Sequence, residues 1–217
     1  MLALRTIAAL TLGLAACQSA LPNRDAHGPS DVEGYIARLE SEGRREELQV
    51  SLVVERLDLA PDAWVADLGS GPGVFALEFA RACPQGAVLA VDIEPRQLDR
   101  LREHVRQERL DNVLPVLASE STPHLPPGSV DLIFIGDTYH HVSERVTYMR
   151  ELRRSLRPGG RLAIFEYKPG ELPHGPPPER KLPAGLRESE LRQAGWRLEA
   201  RFDTHEWHSF EIWVPAR

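Results

Sequence analysis

The stretch Val65–Gly73, VADLGSGPG, is the most informative segment of the sequence for the fold. It joins an apolar run, Trp64 to Leu68, which predicts a strand, to a segment that predicts a helix. Glycine at such a turn permits positive φ and lets a ligand approach the backbone without a Cβ in the way. The stretch therefore predicts a ligand-binding loop between a strand and the helix that follows it.

Two common glycine-rich patterns do not fit this loop. A dinucleotide fingerprint, G-x-G-x-x-G, requires glycine where Val74 stands after Gly69 and Gly71. A phosphate loop ends in a lysine followed by serine or threonine, and that pair is absent from the stretch. The glycine spacing therefore disfavours a nicotinamide oxidoreductase, and that function is kept only as the third candidate.

Around this loop, short apolar runs alternate with helical stretches. Strands separated by helices of this length indicate a parallel sheet covered on both faces. The last two strand-like runs, WRLEARF and HSFEIWV, predict an antiparallel pair that closes the sheet. The predicted strands cover 64–68, 87–91, 113–117, 130–135 and 161–166; the predicted helices cover 74–82, 95–109, 143–156 and 186–194, and two amphipathic helices are predicted within 31–59.

Length and charge limit the possible functions. With 217 residues, the chain has room for one full-sized domain and short additions at its ends. A formal charge of −6 argues against a protein that binds the phosphate backbone of DNA or RNA. No nucleic-acid partner is therefore expected.

The first seventeen residues, MLALRTIAALTLGLAAC, suggest export. One charge, Arg5, precedes the uncharged run Ile7–Ala16, which is too short for a membrane span but fits a secretory signal. The run ends in Leu14-Ala15-Ala16-Cys17, which resembles the lipobox of bacterial lipoproteins. The resemblance implies a signal peptide at 1–16, a lipidated Cys17 followed by a tether to residue 30, and anchoring in the cell envelope, with the outer membrane favoured. The alternative is a start placed too far upstream and a cytoplasmic protein.

Four segments in order resemble the motifs of class I S-adenosylmethionine-dependent methyltransferases. They are VADLGSGPG, LAVDIEP from Leu89, LPPGSVDLIFIGDTYHHV from Leu125 and LRPGGRLAIFEY from Leu156. The likeness covers roughly residues 45 to 168. It implies that 31–217 is a methyltransferase domain with a Rossmann-like, doubly wound, seven-stranded and mostly parallel α/β sheet, an antiparallel last strand and helices on both faces.

The resemblance also implies S-adenosyl-L-methionine as cofactor and assigns its contacts. Asp92 accepts hydrogen bonds from the ribose hydroxyls, with Glu94 as the rival acid, and Asp67 holds the methionyl ammonium. The acid after the third strand, Glu120, departs from the family's Gly-Asp-Ala pattern but is the candidate adenine contact. The remaining cofactor-binding candidates are the loop residues Gly69, Ser70, Gly71 and Gly73, together with Ile93 against adenine and Asp137 facing the cleft.

The methyl acceptor is expected to be a small molecule bound beside the loop after the fourth strand. There His140 is the candidate general base or substrate contact, and Tyr139 is the candidate aromatic contact. The DNA amino-methylating string is not present. Asp131 is expected to be structural. No set of residues has the spacing of a metal site, and the scattered histidines His27, His174, His205 and His208 are expected to be exposed.

A second function class is also compatible with the sequence. Adenosylmethionine is a cytoplasmic metabolite, whereas the lipobox exports the chain. A non-catalytic envelope lipoprotein that binds a nucleoside-like or other small ligand on the same fold is the alternative to an enzyme.

Overall fold

A computed structural model describes residues 31–173 and 175–216 of the chain. The predicted signal peptide, Cys17 and the tether, as well as His27 and His174, lie outside the described residues. In the described part, none of the helices has the length and apolar character needed to cross a membrane.

Seven strands form one sheet in the order β3-β2-β1-β4-β5-β7-β6. β1 to β5 are parallel, and β7 pairs antiparallel with both β5 and β6. The structure thus confirms the predicted doubly wound sheet with its reversed last strand. The strands are β1 Trp64–Leu68, β2 Ala87–Asp92, β3 Val113–Leu117, β4 Val130–Gly136, β5 Leu156–Tyr167, β6 Trp196–Phe202 and β7 His208–Pro215.

Helices cover both faces of the sheet. The helices are α1 Val32–Leu39, α2 Glu42–Leu48, α3 Val50–Leu57, α4 Ala76–Ala82, α5 Pro95–Glu108, α6 Arg145–Leu152 and α7 Leu186–Gln193. One buried cluster joins α3, α4 and α5 to the sheet, and a second joins α6 and α7 to the opposite face. Successive strand residues alternate between the clusters, as the pleat of a strand requires. In β1, Val65 belongs to the first cluster and Ala66 to the second, so Asp67 falls on the α3–α5 face.

Two helical predictions need correction. The N-terminal segment was predicted to form two helices but forms three, because Gln49 adopts the left-handed conformation and separates α2 from α3. The predicted helix over 143–156 is α-helical only in α6; a 3₁₀ turn over Arg153–Ser155 follows, and β5 begins at Leu156. The segment LRPGG, which precedes the strand predicted over 161–166, therefore forms the first part of the fifth strand.

Candidate functional site

The order of the strands reverses beside β1, with β2 on one side and β4 on the other. In open α/β sheets, ligands bind at the carboxyl ends of the strands at such a switch point. The loop Gly69–Gly73 leaves β1 here, and its first two backbone N–H groups donate to the Val91 carbonyl of β2. An ideal Cβ on Gly69 would lie 2.2 Å from Thr138 Oγ1 in the loop after β4. Glycine at position 69 therefore allows the two loops to meet.

Asp67 lies at the bottom of this crevice and is only 2 % exposed. Burial, assisted by the charge of Asp92 and opposed by the Ala76 backbone N–H, raises the pKa of Asp67 to about 8. Its Oδ2 atom is buried and has no hydrogen-bond partner among the described residues. A carboxyl held neutral beside a second acid is suited to a cationic ligand group, which would stabilise its ionised form.

Asp92 ends β2 on the other side of the loop. Its Oδ2 accepts from the Gly71 backbone N–H at 2.8 Å, and its Oδ1 accepts from that of Glu94 at 2.9 Å. Because a carboxylate has about four lone-pair sites, each oxygen retains capacity for one hydroxyl of a diol. The rival acid Glu94 instead caps α5 by accepting from the Arg96 N–H and forms an ion pair with the Arg96 side chain. The geometry favours Asp92 over Glu94.

Further polar atoms at the loop lack partners. Among the described residues, Ser70 Oγ and Gln97 Oε1 are buried without a hydrogen bond, and Gln97 Oε1 lies 3.7 Å from an ideal Cβ on Gly71. Ile93 is 46 % exposed beside Asp92, as an adenine contact requires. A ligand with an ammonium, a diol and an aromatic base would place the ammonium at Asp67, the diol at Asp92 and the base against Ile93. The residues present therefore fit S-adenosylmethionine.

Asp137 belongs to a second polar cluster, beside the glycine loop. Its Oδ2 accepts from the Arg44 guanidinium of α2 and from His208 Nε2 of β7, the latter at 3.2 Å. Arg44 also pairs with Glu47 at 2.8 Å and bonds the hydroxyl of Tyr167, and that hydroxyl donates to Glu47 at 2.9 Å. We call Arg44, Glu47, Asp137, Tyr167 and His208 the Asp137 cluster. Burial opposes ionisation of Asp137, but His208 and Arg44 outweigh it and lower the pKa of the carboxyl.

His140 lies next to this cluster and faces a different acid. Its Nδ1 is 3.0 Å from Glu166 Oε2 at the end of β5, where Glu166 is 3 % exposed. Burial alone would lower the pKa of His140, but the charge and hydrogen bond of Glu166, aided by Asp137, raise it above the ordinary value. A carboxylate on Nδ1 fixes the tautomer, which leaves Nε2 as the basic nitrogen when the ring is neutral. This orientation is compatible with a general base, and that role of His140 stays a prediction.

The structure corrects two of the sequence predictions at this edge. Tyr139 is fully buried in the core under α6 and α7, where its hydroxyl donates to Glu190, so it is a packing residue and not an acceptor contact. His205 and His208, predicted to be exposed, are 3 % and 1 % exposed. Both lie between the last strands and the N-terminal helices, since His205 Nε2 is 3.1 Å from the Leu48 carbonyl.

Two further predictions have different outcomes. The acid Asp131 is structural as expected, because its Oδ2 accepts from the Trp64 N–H and from Arg157. Glu120 is exposed in the loop after β3, and its contact with adenine stays a prediction.

Sequence patterns did not identify several residues at this edge. Arg44 and Glu47 belong to a short charged helix, and nothing local marks them as partners of the distant Asp137 and Tyr167. Tyr35 of α1 is similar: its pKa is raised by burial and by the charges of Asp92 and Asp137. Glu166 could have been found, because a charged residue that ends the apolar run Leu162–Phe165 is unusual inside a buried strand.

The switch-point loop, the acidic residue that ends β2 and the reversed last strand together define the class I methyltransferase fold, whose cofactor is S-adenosylmethionine. The model of a methyltransferase domain family matches residues 66–164. The matched segment runs from β1 to β5 and so contains the loop, Asp92, Asp137 and His140.

Known proteins agree with this class. The chain is similar to the crystal structure of a SAM-dependent methyltransferase from Aquifex aeolicus, with a TM-score of 0.78, 27 % identity, and coverage of 83 % of this chain and 98 % of that one. It is 36 % identical over 114 residues to methyltransferase GfsG of Streptomyces halstedii, covering 52 % of this chain and 40 % of that protein. It is 29 % identical over 116 residues to the ubiquinone/menaquinone biosynthesis C-methyltransferase UbiE of Hahella chejuensis, covering 52 % and 47 %. The chain thus spans less than half the length of these two curated relatives.

Proposed function

We propose that the protein is an S-adenosylmethionine-dependent methyltransferase that acts on a small-molecule acceptor. The observation that carries the proposal is the pair of acids on either side of the glycine loop: Asp67 is buried with an unpartnered Oδ2, and Asp92 is half-buried with one backbone N–H on each oxygen and capacity for more. The intact pair disfavours the alternative of a non-catalytic envelope protein, because a fold adapted to another ligand has no need to keep two neighbouring acids at this loop, one of them buried.

When bound, the cofactor supplies a methyl group on a positively charged sulfur. Asp67 holds the ammonium end, Asp92 holds the ribose hydroxyls, and Ile93 covers one face of the base. The Asp137 cluster and the His140–Glu166 pair lie at the adjoining part of the sheet edge, where an acceptor would bind. In its neutral form, His140 Nε2 takes the proton of an acceptor hydroxyl, and Glu166 stabilises the imidazolium that results.

Calorimetric titration of the full chain with S-adenosylmethionine and S-adenosylhomocysteine tests the cofactor site. Asp92→Ala is expected to weaken binding of both at least about tenfold, since it removes the acceptor for two hydroxyls. Glu94→Ala removes the neighbouring acid and serves as the matched control, with affinity within about twofold of the wild type. A folded wild type that binds neither ligand would favour the non-catalytic alternative.

We further propose that the chain is anchored in the bacterial envelope through a lipid on Cys17. The support is the LAAC string after an apolar run of signal-peptide length. Wild-type protein expressed in a bacterial host should incorporate labelled fatty acid, and the Cys17→Ser variant should not. Absence of label from the wild type would favour a cytoplasmic enzyme that begins at a later start, for which cofactor supply poses no difficulty.

A further inference from the structure

Helix α1 packs on a different part of the molecule from α2 and α3. Val32 and Ile36 of α1 are 2 % and 5 % exposed, yet they belong to neither of the two buried clusters. Leu48 of α2 and Val53 of α3 both belong to the first cluster. The buried face of α1 is therefore not part of the core, whereas the next two helices are.

The apolar face of α1 covers the glycine loop. Val32, Tyr35, Ile36 and Leu39 are spaced i, i+3, i+4 and i+7, which places them on one side of the helix. Leu39 Cδ1 lies 3.4 Å from an ideal Cβ on Gly71. Gly71, a candidate cofactor contact, is buried in this conformation. The end of α1 thus lies over a part of the loop that the cofactor must reach.

The covered loop contains polar atoms without partners. Gln97 Oε1 lies 3.7 Å from the same ideal Cβ on Gly71 that Leu39 approaches, so both side chains reach this glycine. Gln97 Oε1 and Ser70 Oγ are buried and, in the described part of the chain, form no hydrogen bond. A buried polar group without a partner costs free energy, and water would supply the missing bonds if α1 moved away. This cost favours opening of the loop.

An ion pair at the end of α1 opposes that opening. Glu40, the last residue before the link at Ser41, accepts from Arg100 Nε at 2.7 Å and from Arg100 Nη2 at 2.9 Å. His104 Nε2 lies 2.6 Å from Glu40 Oε1. Arg100 and His104 are four positions apart on α5 and therefore share one side of that helix. We call Glu40, Arg100 and His104 the Glu40 clasp.

The clasp acts on α1 alone, because α2 is held separately. Arg44 of α2 pairs with Asp137, and Leu48 lies in the core. Two parallel bonds from a guanidinium to a carboxylate fix the orientation of both groups. The Glu40 clasp therefore sets the angle at which α1 leaves α2 and keeps α1 on the glycine loop.

Resting on the proposed function, we infer that α1 is a lid over the cofactor site and that the Glu40 clasp controls how often it opens. S-adenosylmethionine enters, and S-adenosylhomocysteine leaves, while α1 is lifted from the glycine loop. The hinge is the link at Ser41, and α2 and α3 stay in place with the sheet.

Hydrogen–deuterium exchange of the full chain, without ligand, measures opening directly. A helix of eight residues is not stable alone in water, so the amides of α1 exchange when it lifts from the loop. Glu40→Gln keeps the size of the side chain but removes its charge, and it should speed exchange of the α1 amides at least about fivefold. Exchange of the α3 amides should not change.

Glu103→Gln is the matched control for the clasp. Glu103 bonds the same guanidinium, through Arg100 Nη1 at 2.9 Å, but it belongs to α5 itself. Exchange of the α1 amides in this variant should stay within about twofold of the wild type. Equal exchange of α1 in Glu40→Gln and Glu103→Gln overturns the role of the clasp.

Rapid filtration with tritiated S-adenosylmethionine tests whether the lid controls access to the site. If entry and exit both require α1 to lift, Glu40→Gln raises the association and dissociation rates together, each at least about threefold, and Kd changes less than either rate. Glu103→Gln should leave both rates within about twofold of the wild type.

A second variant keeps the test decisive if Glu40→Gln does not fold. Leu39→Ala removes the contact with the glycine loop and should also raise both rates. A dissociation rate that rises while association is unchanged overturns the lid, because α1 would then be part of the binding surface and not a gate. Failure of the lid leaves binding of S-adenosylmethionine by the wild type intact, whereas a wild type that binds none shows that the proposed function itself is wrong.

Discussion

The two ends of β4 each carry an aspartate in a different state. Asp131, at the amino end, has a side chain 38 % exposed, and its Oδ2 accepts from the Trp64 N–H at 2.8 Å and from Arg157 at 2.7 Å. Asp137, just past the carboxyl end, has positive φ, a largely buried side chain and one oxygen without a partner among the described residues. Asp131 is hydrogen-bonded to neighbouring residues of the sheet. Asp137 keeps one oxygen that forms no hydrogen bond within the described residues.

The contrast recurs along both edges of the sheet, with one exception at the amino edge, where Arg153 Nε, just before β5, is also buried without a partner among the described residues. At the carboxyl edge, Asp67, Ser70 and Gln97 also keep buried atoms without partners in the described part of the chain. Leaving a buried polar group unsatisfied costs about 1–3 kcal/mol, so a cluster of them indicates a ligand that supplies the missing bonds. Substitutions at the carboxyl edge should therefore change ligand binding, whereas substitutions at the amino edge should change only stability.

Removing the carboxylate of Glu166, which contacts Nδ1 of His140, should give the largest effect. Glu166→Gln keeps the shape of the side chain but removes the charge that raises the pKa of His140. We expect the pKa of His140 to fall, the acid limb of the rate profile to move to lower pH, and kcat to drop about a hundredfold. NMR titration of the His140 ring measures the first effect without knowledge of the acceptor.

Glu211→Gln is the matched control for that variant. Glu211 is also 3 % exposed and lies on the neighbouring strand β7, but it pairs with Arg187 and Arg201. Glu211→Gln should lower the free energy of unfolding and leave the pKa of His140 unchanged. An unchanged pKa of His140 in Glu166→Gln would remove Glu166 from its positioning role.

The loop and the acids next to it could be predicted from the sequence because each lies inside a local pattern. VADLGSGPG contains Asp67 and three glycines within nine residues, and Asp92 ends an apolar strand. Such residues reach the carboxyl edge whenever the strands form, so their place follows from secondary structure alone. The resemblance to class I methyltransferases implied the reversed last strand, whereas the order of the strands is a finding of the structure.

The Asp137 cluster could not be predicted, because it depends on contacts across long separations. Arg44 and Asp137 are 93 positions apart, and Glu47 and Tyr167 are 120 apart. His208 was expected to be exposed, because nothing in the sequence around it shows that the strand it begins will pair with β5. Tyr139 misled for the opposite reason: its position in the loop suggested a ligand contact, whereas its ring packs under α7.

Cofactor binding should depend on pH through Asp67. Because burial raises the pKa of Asp67 to about 8 in the free protein, binding an ammonium requires the carboxyl to lose its proton. Affinity for S-adenosylhomocysteine should therefore rise about tenfold between pH 6 and 7.5, with release of a proton. Calorimetry in two buffers of different ionisation heat measures that proton.

Asp67→Asn provides the control for this linkage, since it cannot ionise. It should bind weakly and lose most of the pH dependence. The sign for folding is opposite: the unfolded state ionises near pH 4 and the folded state near pH 8, so the wild type loses stability as pH rises through this window. Affinity that falls as pH rises from 6 to 7.5 would contradict the assignment of Asp67 to the ammonium.

The smallest effect is expected at the amino end of β4. Asp131→Asn keeps an acceptor for the Trp64 N–H but loses the ion pair with Arg157, which is partly exposed. Exposed pairs contribute little, so the free energy of unfolding should fall by about 1 kcal/mol or less in urea denaturation. Affinity for S-adenosylhomocysteine should not change, because Asp131 lies at the opposite edge from the glycine loop. If Asp131→Asn weakened cofactor binding as much as Asp92→Ala, acids at the two edges of the sheet would not differ in function, and the assignment of the carboxyl edge as the binding edge would be wrong.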